Sequence, residues 1–443
     1  MDIQRPTYLK QLADSMGNGM VKIVTGIRRC GKSHLLNVQF RDFLKREHGV
    51  EDSRIHAVSL DLKPFEALQD PNRLYEHFSK RVRRARGTQY IFIDEIQLCR
   101  KTLKEGADPA KVAPEERDSL YLTFQDVLNS LAAMPNADVY VTGSNSRMLS
   151  SDIATQFRGR SLEIRMRPLS FVEFLPCAQG DKHDALDEYE TFGGLPQVAL
   201  ATDARQKRII LKSLFDKTYL RDIVERYKIK DDAALGRVAD MLCSAIGSLT
   251  NPCRISNRFS SLWKDGPSEP TIRKYLDCFK DAFLFEKADR WDVKGGRYLA
   301  EPSKWYATDL GLRNARTNFR HLEPAHLMEN VLYNELVARG CAVDVGVVET
   351  VEGGAGGKQH LRREIDFVLN DGSEKVYIQS AFSISDDEKM RQETASLRKT
   401  GDFFRKVVVL GGSAKPWKDE YGIEFTGIIP FLLNQESHLT AQK

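Results

Sequence analysis

The chain has 443 residues, of which 41% are hydrophobic and 29% are charged, and its formal net charge is +4 at pH 7. This length is enough for two or three domains with cores of their own, and the composition excludes a disordered or fibrous protein. The small positive charge does not identify a nucleic-acid-binding protein, because an ordinary solvated surface can carry it.

The cysteines and the apolar runs of the sequence indicate the cellular compartment of the protein. The seven cysteines lie at positions 30, 99, 177, 243, 253, 278 and 341. They lack the paired spacings of a zinc site and predict reduced thiols in a cytoplasmic protein. The sequence begins without a basic segment and apolar core, and no run of about 18 apolar residues follows, so we expect neither an export signal nor a membrane span.

The first 170 residues alternate short apolar runs with amphipathic stretches. The runs with the pattern of strands are residues 21–26, 55–62, 90–95, 138–144 and 161–170. Strands that alternate with helices predict an α/β fold with a parallel sheet. The polar residues 103–117 predict a surface loop.

The later chain has three further blocks. Residues 171–245 have helical periodicity, and residues 246–320 combine short helices with a glycine-containing hairpin, which predicts a winged-helix module. The last block mixes a helix with strands and has a glycine-rich segment, residues 351–360, that predicts a flexible hairpin tip. We therefore predict domains at 1–170, 171–245, 246–320 and 321–443.

The segment "TGIRRCGKSHLL", residues 25–36, has the pattern of a phosphate-binding loop. Gly26 and Gly31 permit a tight turn, Lys32 can reach the outer phosphates, and the Ser33 hydroxyl can ligate Mg²⁺. The alternative is an ordinary strand, turn and helix.

A second motif, "YIFIDEIQ", is an apolar strand that ends in Asp94 and Glu95. An ATP hydrolase needs one carboxylate for hydrated Mg²⁺ and one to polarise the attacking water. A solvated strand end is the alternative interpretation.

The third motif, "VYVTGSNSRML", is an apolar strand followed by small polar residues. We expect this strand to lie between the loop strand and the Asp94 strand, with Ser144 or Asn145 as a sensor of the γ-phosphate. In the alternative, these residues form a turn that caps the next helix.

Two arginines, Arg158 and Arg160, precede the last strand of this region in "IATQFRGRSLEI". An arginine here can act across a subunit boundary and stabilise transition-state charge in a neighbouring copy. Surface ion pairing is the alternative.

Together with "FRGRSLEIRMRPLSFVEFL", "YETFGGLPQVAL" and "YLRDIVERYKIKD", these motifs resemble the bacterial and archaeal AAA-type ATPases known as AAA_14 with a DUF4143 domain. The resemblance runs from about residue 5 to 410. It implies a P-loop ATPase core, a helical lid, a winged helix and a restriction-endonuclease-like end domain. In that family an arginine pair is usual in the loop, which places Arg28 and Arg29 near phosphate or a neighbouring subunit. Cys30 stands where the family has a small residue, and we expect no chemistry from it.

The nucleotide-binding set follows from the loop and the resemblance. It comprises Gly26, Ile27, Arg28, Arg29, Cys30, Gly31, Lys32, Ser33, His34 and Pro196. Pro196 enters because "GGLP" is similar to a lid motif whose proline packs near adenine. A helix-start proline after a glycine turn explains it equally well.

The end domain resembles a nuclease with its site altered. Such sites use a helix Glu, a strand Asp and a Glu-x-Lys on the next strand to hold Mg²⁺. Glu335 and Asp366 fill the first two places, but Gln379 and Ala381 stand where Glu and Lys are required. We therefore expect a binding or assembly module without nuclease activity.

Basic residues of the winged-helix block suit phosphate contacts, although such a module is also often a packing element. They are Arg254, Arg258, Lys264, Arg273, Lys274, Lys294 and Arg297. The basic run at 80–86 predicts a solvated helix face.

The sequence as a whole predicts an ATPase that uses ATP and Mg²⁺. Lys32 and the loop amides bind phosphate, Ser33 and Asp94 hold the metal, Glu95 activates water, and Asn145 with an arginine completes the catalytic set. A composite site of this kind requires a homo-oligomer, for which a ring is one arrangement, with hydrolysis coupled to movement of the C-terminal modules. DNA is an open alternative as a partner, and a membrane is not expected. A nucleotide-dependent switch with low turnover is the rival function, which the presence of Glu95 disfavours.

Overall fold

A computed structural model describes residues 2–144, 159–263, 266–320, 322–354, 357–371 and 374–434. The chain divides into two compact units, Met1–Arg167 and Pro168–Lys443. Within the described ranges, no helix has the length and apolar character needed to cross a membrane.

The first unit is built on a five-stranded parallel sheet in the order β2-β3-β6-β1-β7. Its strands, with the short antiparallel pair β4 and β5, are β1 Val21–Thr25, β2 Ile55–Ser59, β3 Gln89–Asp94, β4 Thr102–Leu103, β5 Tyr121–Leu122, β6 Ala137–Gly143 and β7 Ser161–Arg165. The five strands predicted from the sequence are confirmed, and the parallel α/β fold with them. The last of these strands, β7, ends at Arg165 and is therefore five residues shorter than the predicted range 161–170.

Helices flank this sheet. They are Pro6–Asp14, Lys32–His34 with its continuations Leu35–Phe40 and Arg41–His48, Pro71–Arg84 and Phe124–Ala132. Two have clear start signals. The Asp70 side chain accepts a hydrogen bond from the Arg73 backbone N–H, and Thr123 forms a capping box with Asp126. Their buried faces pack on the strands through apolar side chains such as Leu74.

The strand order decides where the polar strand ends meet. β6 pairs with β1 on one side and with β3 on the other, as the sequence predicted. Because neighbouring strands are parallel, the carboxyl ends of β1, β3 and β6 lie at one edge of the sheet. The phosphate loop, Asp94 and Ser144 therefore share that edge.

The second unit begins with helices, as the periodicity of residues 171–245 predicted. Its helices are Phe171–Phe174, Lys182–Phe192, Pro196–Ala199, Ala204–Ser213, Leu214–Leu220, Arg221–Tyr227, Asp232–Ser244, Pro252–Leu262, Glu269–Asp281, Leu310–Arg316, Pro324–Ala338, Asp387–Arg398 and Ile428–Leu433. Leu214–Leu220 is a π-helical segment that joins its two neighbours.

A nine-stranded mixed sheet forms the rest of this unit, in the order β15-β16-β14-β13-β12-β11-β9-β10-β8. Its strands are β8 Leu249–Thr250, β9 Phe285–Asp292, β10 Arg297–Ala307, β11 Val343–Gly354, β12 Gly357–Asp371, β13 Glu374–Ala381, β14 Arg405–Leu410, β15 Trp417–Lys418 and β16 Glu424–Gly427. The β9-β10 hairpin joins the later strands because β11 runs parallel to β9. One sheet therefore passes through both the hairpin block and the final block.

The expected hairpin that turns within residues 351–360 is confirmed, but its tip is narrower than expected. β11 and β12 remain paired as far as Gly354 and Gly357. The ladder forms through backbone hydrogen bonds and needs no side chains, so glycines do not end it. Only residues 355 and 356 lie between the two strands.

Candidate functional site

The phosphate loop leaves β1 at Thr25 and enters a helix at Lys32. Gly26 has φ 139° and Gly31 has φ 105°, which are backbone conformations that favour glycine. A Cβ atom on Gly26 would lie 2.0 Å from the backbone oxygen of Met166. The two glycines therefore set the path of the loop.

The Lys32 side chain folds back into this loop and is only 4% exposed. Its Nζ donates to the backbone oxygens of Gly26 at 2.9 Å and Ile27 at 3.0 Å. The ammonium thus lies inside the curve of a loop that opens into a helix, and such a curve, with its converging backbone N–H groups, favours an anion.

The back of the loop is fixed by a residue far away in sequence. The buried Arg5 donates through Nη1 to the backbone oxygen of Cys30 at 3.1 Å and through Nη2 to that of Arg167 at 2.7 Å. Cys30 is also buried, with its Sγ 3.6 Å from the backbone oxygen of Met166. Sequence analysis missed Arg5 because no motif surrounds it.

Ser33 and Asp94 come together at the sheet edge. The Ser33 Oγ donates to Asp94 Oδ1 at 2.9 Å, and Asp94 is largely buried at the end of β3. The buried Thr142 hydroxyl donates to the same Asp94 oxygen, and the Glu95 backbone N–H donates to the Thr142 Oγ1 at 3.0 Å. A hydroxyl and a carboxylate are hard oxygen ligands, so the pair fits Mg²⁺.

Sequence analysis missed Thr142. Its signal was available, because it stands next to the end of the strand that was expected beside the Asp94 strand. A polar residue in that position shares an edge with Asp94 only if the strand order is correct.

Glu95 is half-buried and has φ 53°, a left-handed conformation that is uncommon for this residue type. Its Oε2 accepts hydrogen bonds from Gln97 Nε2 and from the Ser144 Oγ, the latter at 3.4 Å. Arg28 Nε donates to the same Ser144 oxygen at 3.4 Å. A continuous chain of contacts therefore joins the phosphate loop, the end of β6 and the Glu95 carboxylate.

Gln97 is a second residue of this network that sequence analysis did not identify. Its Nε2 also donates to Ser144 Oγ at 3.3 Å, while its Oε1 is buried without a hydrogen-bond partner among the described residues. An unpaired buried acceptor is costly, so the position of this amide beside Glu95 has an energetic cost.

The remaining loop residues lie outward. Arg29 and His34 are exposed, and the His34 Nε2 is 2.6 Å from Asp2 Oδ1. The hydrogen bond from His34 lowers the pKa of Asp2 below its ordinary value. His34 thus ties the loop helix to the start of the chain.

The predicted arginines and sensor are only partly placed. Asn145 and Arg158 lie outside the described residues. Arg160 is exposed, and its backbone oxygen accepts from the Val21 N–H at 2.9 Å, where β1 begins. The five residues of β1 separate that point from the phosphate loop by about 16 Å. Arg160 therefore lies at the opposite edge of the sheet.

Pro196 belongs to the second unit, where it starts the helix Pro196–Ala199. The preceding glycine turn rests on Asp309, whose Oδ2 accepts from the Gly194 N–H at 2.8 Å. A Cβ atom on Gly193 would lie 2.4 Å from Asp309 Oδ1. Burial raises the pKa of Asp309 to about 6, although backbone N–H groups, that of Leu312 first, favour the charged form.

The expected role of Glu335 as the helix acid of a nuclease-like site is wrong. Its Oε1 accepts from Arg339 Nε at 2.8 Å. The acid that joins Asp366 in one cluster is Glu329, six residues earlier on the helix Pro324–Ala338, with Lys304 between the two carboxylates. Six residues correspond to about 1.7 turns, so the two glutamates lie on different faces of the helix.

Several basic residues of the winged-helix block are paired within the chain. The pairs are Arg273 with Glu269 at 3.2 Å and with Glu301 at 2.7 Å, Arg297 with Asp292 at 3.7 Å, and Lys294 with the backbone oxygen of Glu349 at 3.1 Å. Lys264 lies outside the described residues, and Arg258 and Lys274 are exposed. Pairing with carboxylates offsets the charge that Arg273 and Arg297 would offer to DNA phosphates.

Two family models match the chain. Residues 18–175 match an AAA domain, AAA_14, as the sequence motifs indicated. Residues 183–323 match a domain of unknown function, DUF8612, and this is a different domain from the DUF4143 that the resemblance named.

Two uncharacterized proteins and a solved structure are similar to this chain. An uncharacterized protein of Haemophilus influenzae is 32% identical over 436 residues, which cover 97% of this chain and 98% of that protein. The uncharacterized protein MJ1544 of Methanocaldococcus jannaschii is 25% identical over 389 residues, or 84% of this chain and 77% of that one. The Aeropyrum pernix Orc1 protein in complex with DNA is 13% identical, covers 72% of this chain and 93% of its own, and has a TM-score of 0.31. The chain therefore belongs to one family with the Haemophilus influenzae protein, and its residues 18–175 match the AAA domain AAA_14.

Proposed function

We propose that the first unit binds ATP with Mg²⁺ and hydrolyses it to ADP and phosphate. The observation that carries this proposal is the 2.9 Å contact between Ser33 Oγ and Asp94 Oδ1, at the sheet edge where the glycine loop starts. Two hard ligands for Mg²⁺ and an anion-binding loop thus meet at one place, with Glu95 next to them.

The loop supplies the binding energy for the phosphates. Backbone N–H groups at the helix start favour an anion, and the Lys32 ammonium adds a full positive charge. The two backbone carbonyls that Lys32 contacts are neutral acceptors, whereas a phosphate oxygen is charged and forms a stronger hydrogen bond. We therefore expect Lys32 to exchange these contacts for phosphate.

Ser33 and Asp94 would hold the metal, which when bound neutralises charge on the phosphate oxygens. The hydroxyls of Ser33 and Thr142 both donate to Asp94 Oδ1 and so restrain the orientation of its carboxylate. Partners of this kind orient a ligand and commonly affect activity as strongly as the ligand itself.

Glu95 would accept a proton from the attacking water. Gln97 and Ser144 both contact its Oε2 and so restrain the orientation of the carboxylate. Since Arg28 contacts Ser144, the position of the carboxylate depends on the loop that carries the phosphates.

We further propose that the active form is a homo-oligomer. Arg160 lies at the sheet edge opposite to the phosphate loop, so it cannot reach the loop of its own copy. In a second copy the same arginine is free to approach a neighbouring site, where it would stabilise transition-state charge.

ATP turnover of the wild-type chain, Glu95→Gln and Lys32→Ala tests the proposal. We expect Glu95→Gln to bind Mg-ATP and to lose turnover by about 10²-fold or more, because the base is removed while the loop is kept. Lys32→Ala should lose nucleotide affinity. Glu76→Gln, on the exposed face of the helix Pro71–Arg84, is the matched control and should behave as wild type.

Two outcomes would contradict the proposal. Unchanged nucleotide affinity in Lys32→Ala would remove the loop from the site. Tight ATP binding with near-zero turnover in both wild type and Glu95→Gln would instead support a nucleotide-dependent switch.

A further inference from the structure

A lysine lies among three carboxylates in the core of the second unit. The Lys304 side chain, on β10, is almost fully buried. Its Nζ is 2.8 Å from Glu329 Oε1, 2.7 Å from Glu364 Oε1 and 3.1 Å from Asp366 Oδ1. Carboxylates from one helix and from the strand β12 thus converge on the ammonium group that β10 carries. These four residues, with Tyr306, are called the Lys304 cluster.

Two further hydrogen bonds involve the cluster. The Tyr306 hydroxyl donates to Glu329 Oε1 at 2.6 Å, and the Ser380 backbone N–H donates to Asp366 Oδ2 at 2.9 Å. Burial lowers the pKa of Lys304, but Asp366, Glu329 and Glu364 outweigh it and raise that pKa well above the ordinary value. The lysine is therefore charged at neutral pH and has a carboxylate for each of its three donors.

The resemblance to nucleases implies Mg²⁺ between the helix Glu and the strand Asp, and the residues of this chain do not fit that metal. Gln379 contributes its Oε1 to the Asp366 backbone N–H at 3.4 Å, and Ala381 has no ligand atom in its side chain. Within the described ranges, no three His, Cys, Asp or Glu side chains are close enough to hold a metal ion. The point on which the carboxylates converge is filled by the Lys304 ammonium.

We infer that Lys304 is an internal cation that takes the place of a divalent metal and closes this part of the second unit to metal binding. A cluster of three carboxylates with one ammonium is already charge-compensated in part, and each lysine hydrogen satisfies one oxygen. Without the ammonium, the buried carboxylates of Glu329 and Asp366 and the half-buried carboxylate of Glu364 would lack a counter-charge. They would then gain from a divalent cation, which binds carboxylate oxygens at about 2.0 to 2.6 Å.

Replacement of the ammonium by a metal ion would require only small movements of the carboxylate oxygens. The oxygens lie 2.7 to 3.1 Å from the Lys304 Nζ, so contacts to Ca²⁺ or Mn²⁺ would require them to move inward by about half an ångström. The removal of Lys304 should therefore create a divalent-cation site.

The test uses the full chain without nucleotide. Calorimetry measures its affinity for Mn²⁺, and a separate thermal unfolding experiment measures its unfolding temperature as Ca²⁺ is added. Wild type and Asp366→Asn should bind Mn²⁺ alike. Lys304→Ala should bind it at least about tenfold more tightly than wild type, equivalent to about 1.4 kcal/mol, and Ca²⁺ should raise its unfolding temperature. Lys207→Ala is the matched control, because Lys207 is also buried but pairs with the single carboxylate of Glu188. It should show no gain.

Two results would overturn the inference. If wild type binds Mn²⁺ and Asp366→Asn loses that binding, the cluster is already a metal site. If Lys304→Ala folds and gains no Mn²⁺ binding, the lysine does not replace a metal. If the alanine variant does not fold, Lys304→Met replaces it in the test, because methionine keeps the volume of the aliphatic part of the lysine side chain. The wild-type comparison with Asp366→Asn needs no lysine variant.

Discussion

Replacement of Thr142 by valine would remove one hydroxyl group while it keeps the branched shape of the side chain. This hydroxyl is buried, donates to Asp94 and accepts from the Glu95 N–H at 3.0 Å. A hydrogen bond to a charged group contributes about 1.5 to 3 kcal/mol, and a buried N–H left without a partner costs about 1 to 3 kcal/mol. Asp94 keeps its bond to Ser33, so we expect the free energy of unfolding to fall by about 2 to 4 kcal/mol.

The same substitution should lower turnover more than nucleotide affinity. Thr142 restrains the carboxylate of Asp94 and the backbone of Glu95, and its side-chain hydrogen bonds among the described residues go to these two residues rather than to the loop that would hold the phosphates. Loss of a group that orients metal ligands commonly costs about 10 to 100-fold in activity. We therefore expect a decrease of that size in kcat and a much smaller change in the affinity for ATP.

Urea denaturation measures the first effect, and steady-state phosphate release at saturating Mg-ATP measures the second. Thr142→Ser is the control, since it keeps the hydroxyl and should retain most of both properties. A Thr142→Val chain that hydrolyses ATP at the wild-type rate would refute the role given to Thr142.

Three further predictions concern particular contacts. Gly26→Ala should destabilise the first unit by about 3 kcal/mol in a thermal unfolding experiment, because its Cβ would lie 2.0 Å from the Met166 backbone oxygen at a φ of 139°; an unchanged unfolding temperature would contradict this. Asp138→Ala should lower the free energy of unfolding by about 3 to 5 kcal/mol in urea denaturation, because it leaves the fully buried Lys22 without its counter-charge. A decrease below about 1 kcal/mol would show that Lys22 finds another partner. Burial raises the pKa of Asp309 to about 6 from 3.8, so between these values the folded state holds a proton that the unfolded state has released. Stability of the second unit should therefore decrease by up to about 3 kcal/mol as pH rises through this window, and Asp309→Asn should lack that decrease; parallel pH profiles of the two chains would contradict the prediction.

Much of the candidate nucleotide site could be predicted from the sequence because it is encoded in short segments. Gly26, Gly31, Lys32 and Ser33 lie within eight residues, and their spacing is dictated by the turn between a strand and a helix. Asp94 and Glu95 follow a run of buried apolar residues, which marks the end of a strand. The alternation of such strands with helices was sufficient to predict a parallel sheet.

Other parts of that site depended on contacts between remote segments. Arg5 supports the loop from 25 residues before Cys30, and Thr142 joins Asp94 across two strands. No motif marks Arg5, and Thr142 is marked only by its place near the end of an apolar strand, because their roles come from the order of strands and from the packing at the start of the first helix. Gln97 carries no motif of its own, and its role depends on the positions of Glu95 and Ser144.

The second unit shows most clearly which features cannot be predicted from the sequence. The sequence by itself indicated the helical character of residues 171–245, a hairpin, and a helix with strands in the final block, and it determined the loss of Glu and Lys at positions 379 and 381. Only the tertiary structure decided that Glu329, and not Glu335, faces Asp366, and that Lys304 arrives between them from β10. The physical reason is that secondary structure follows from periodicity over neighbouring residues, whereas a buried charge cluster is assembled by strand pairing and helix rotation, which join residues far apart in the chain.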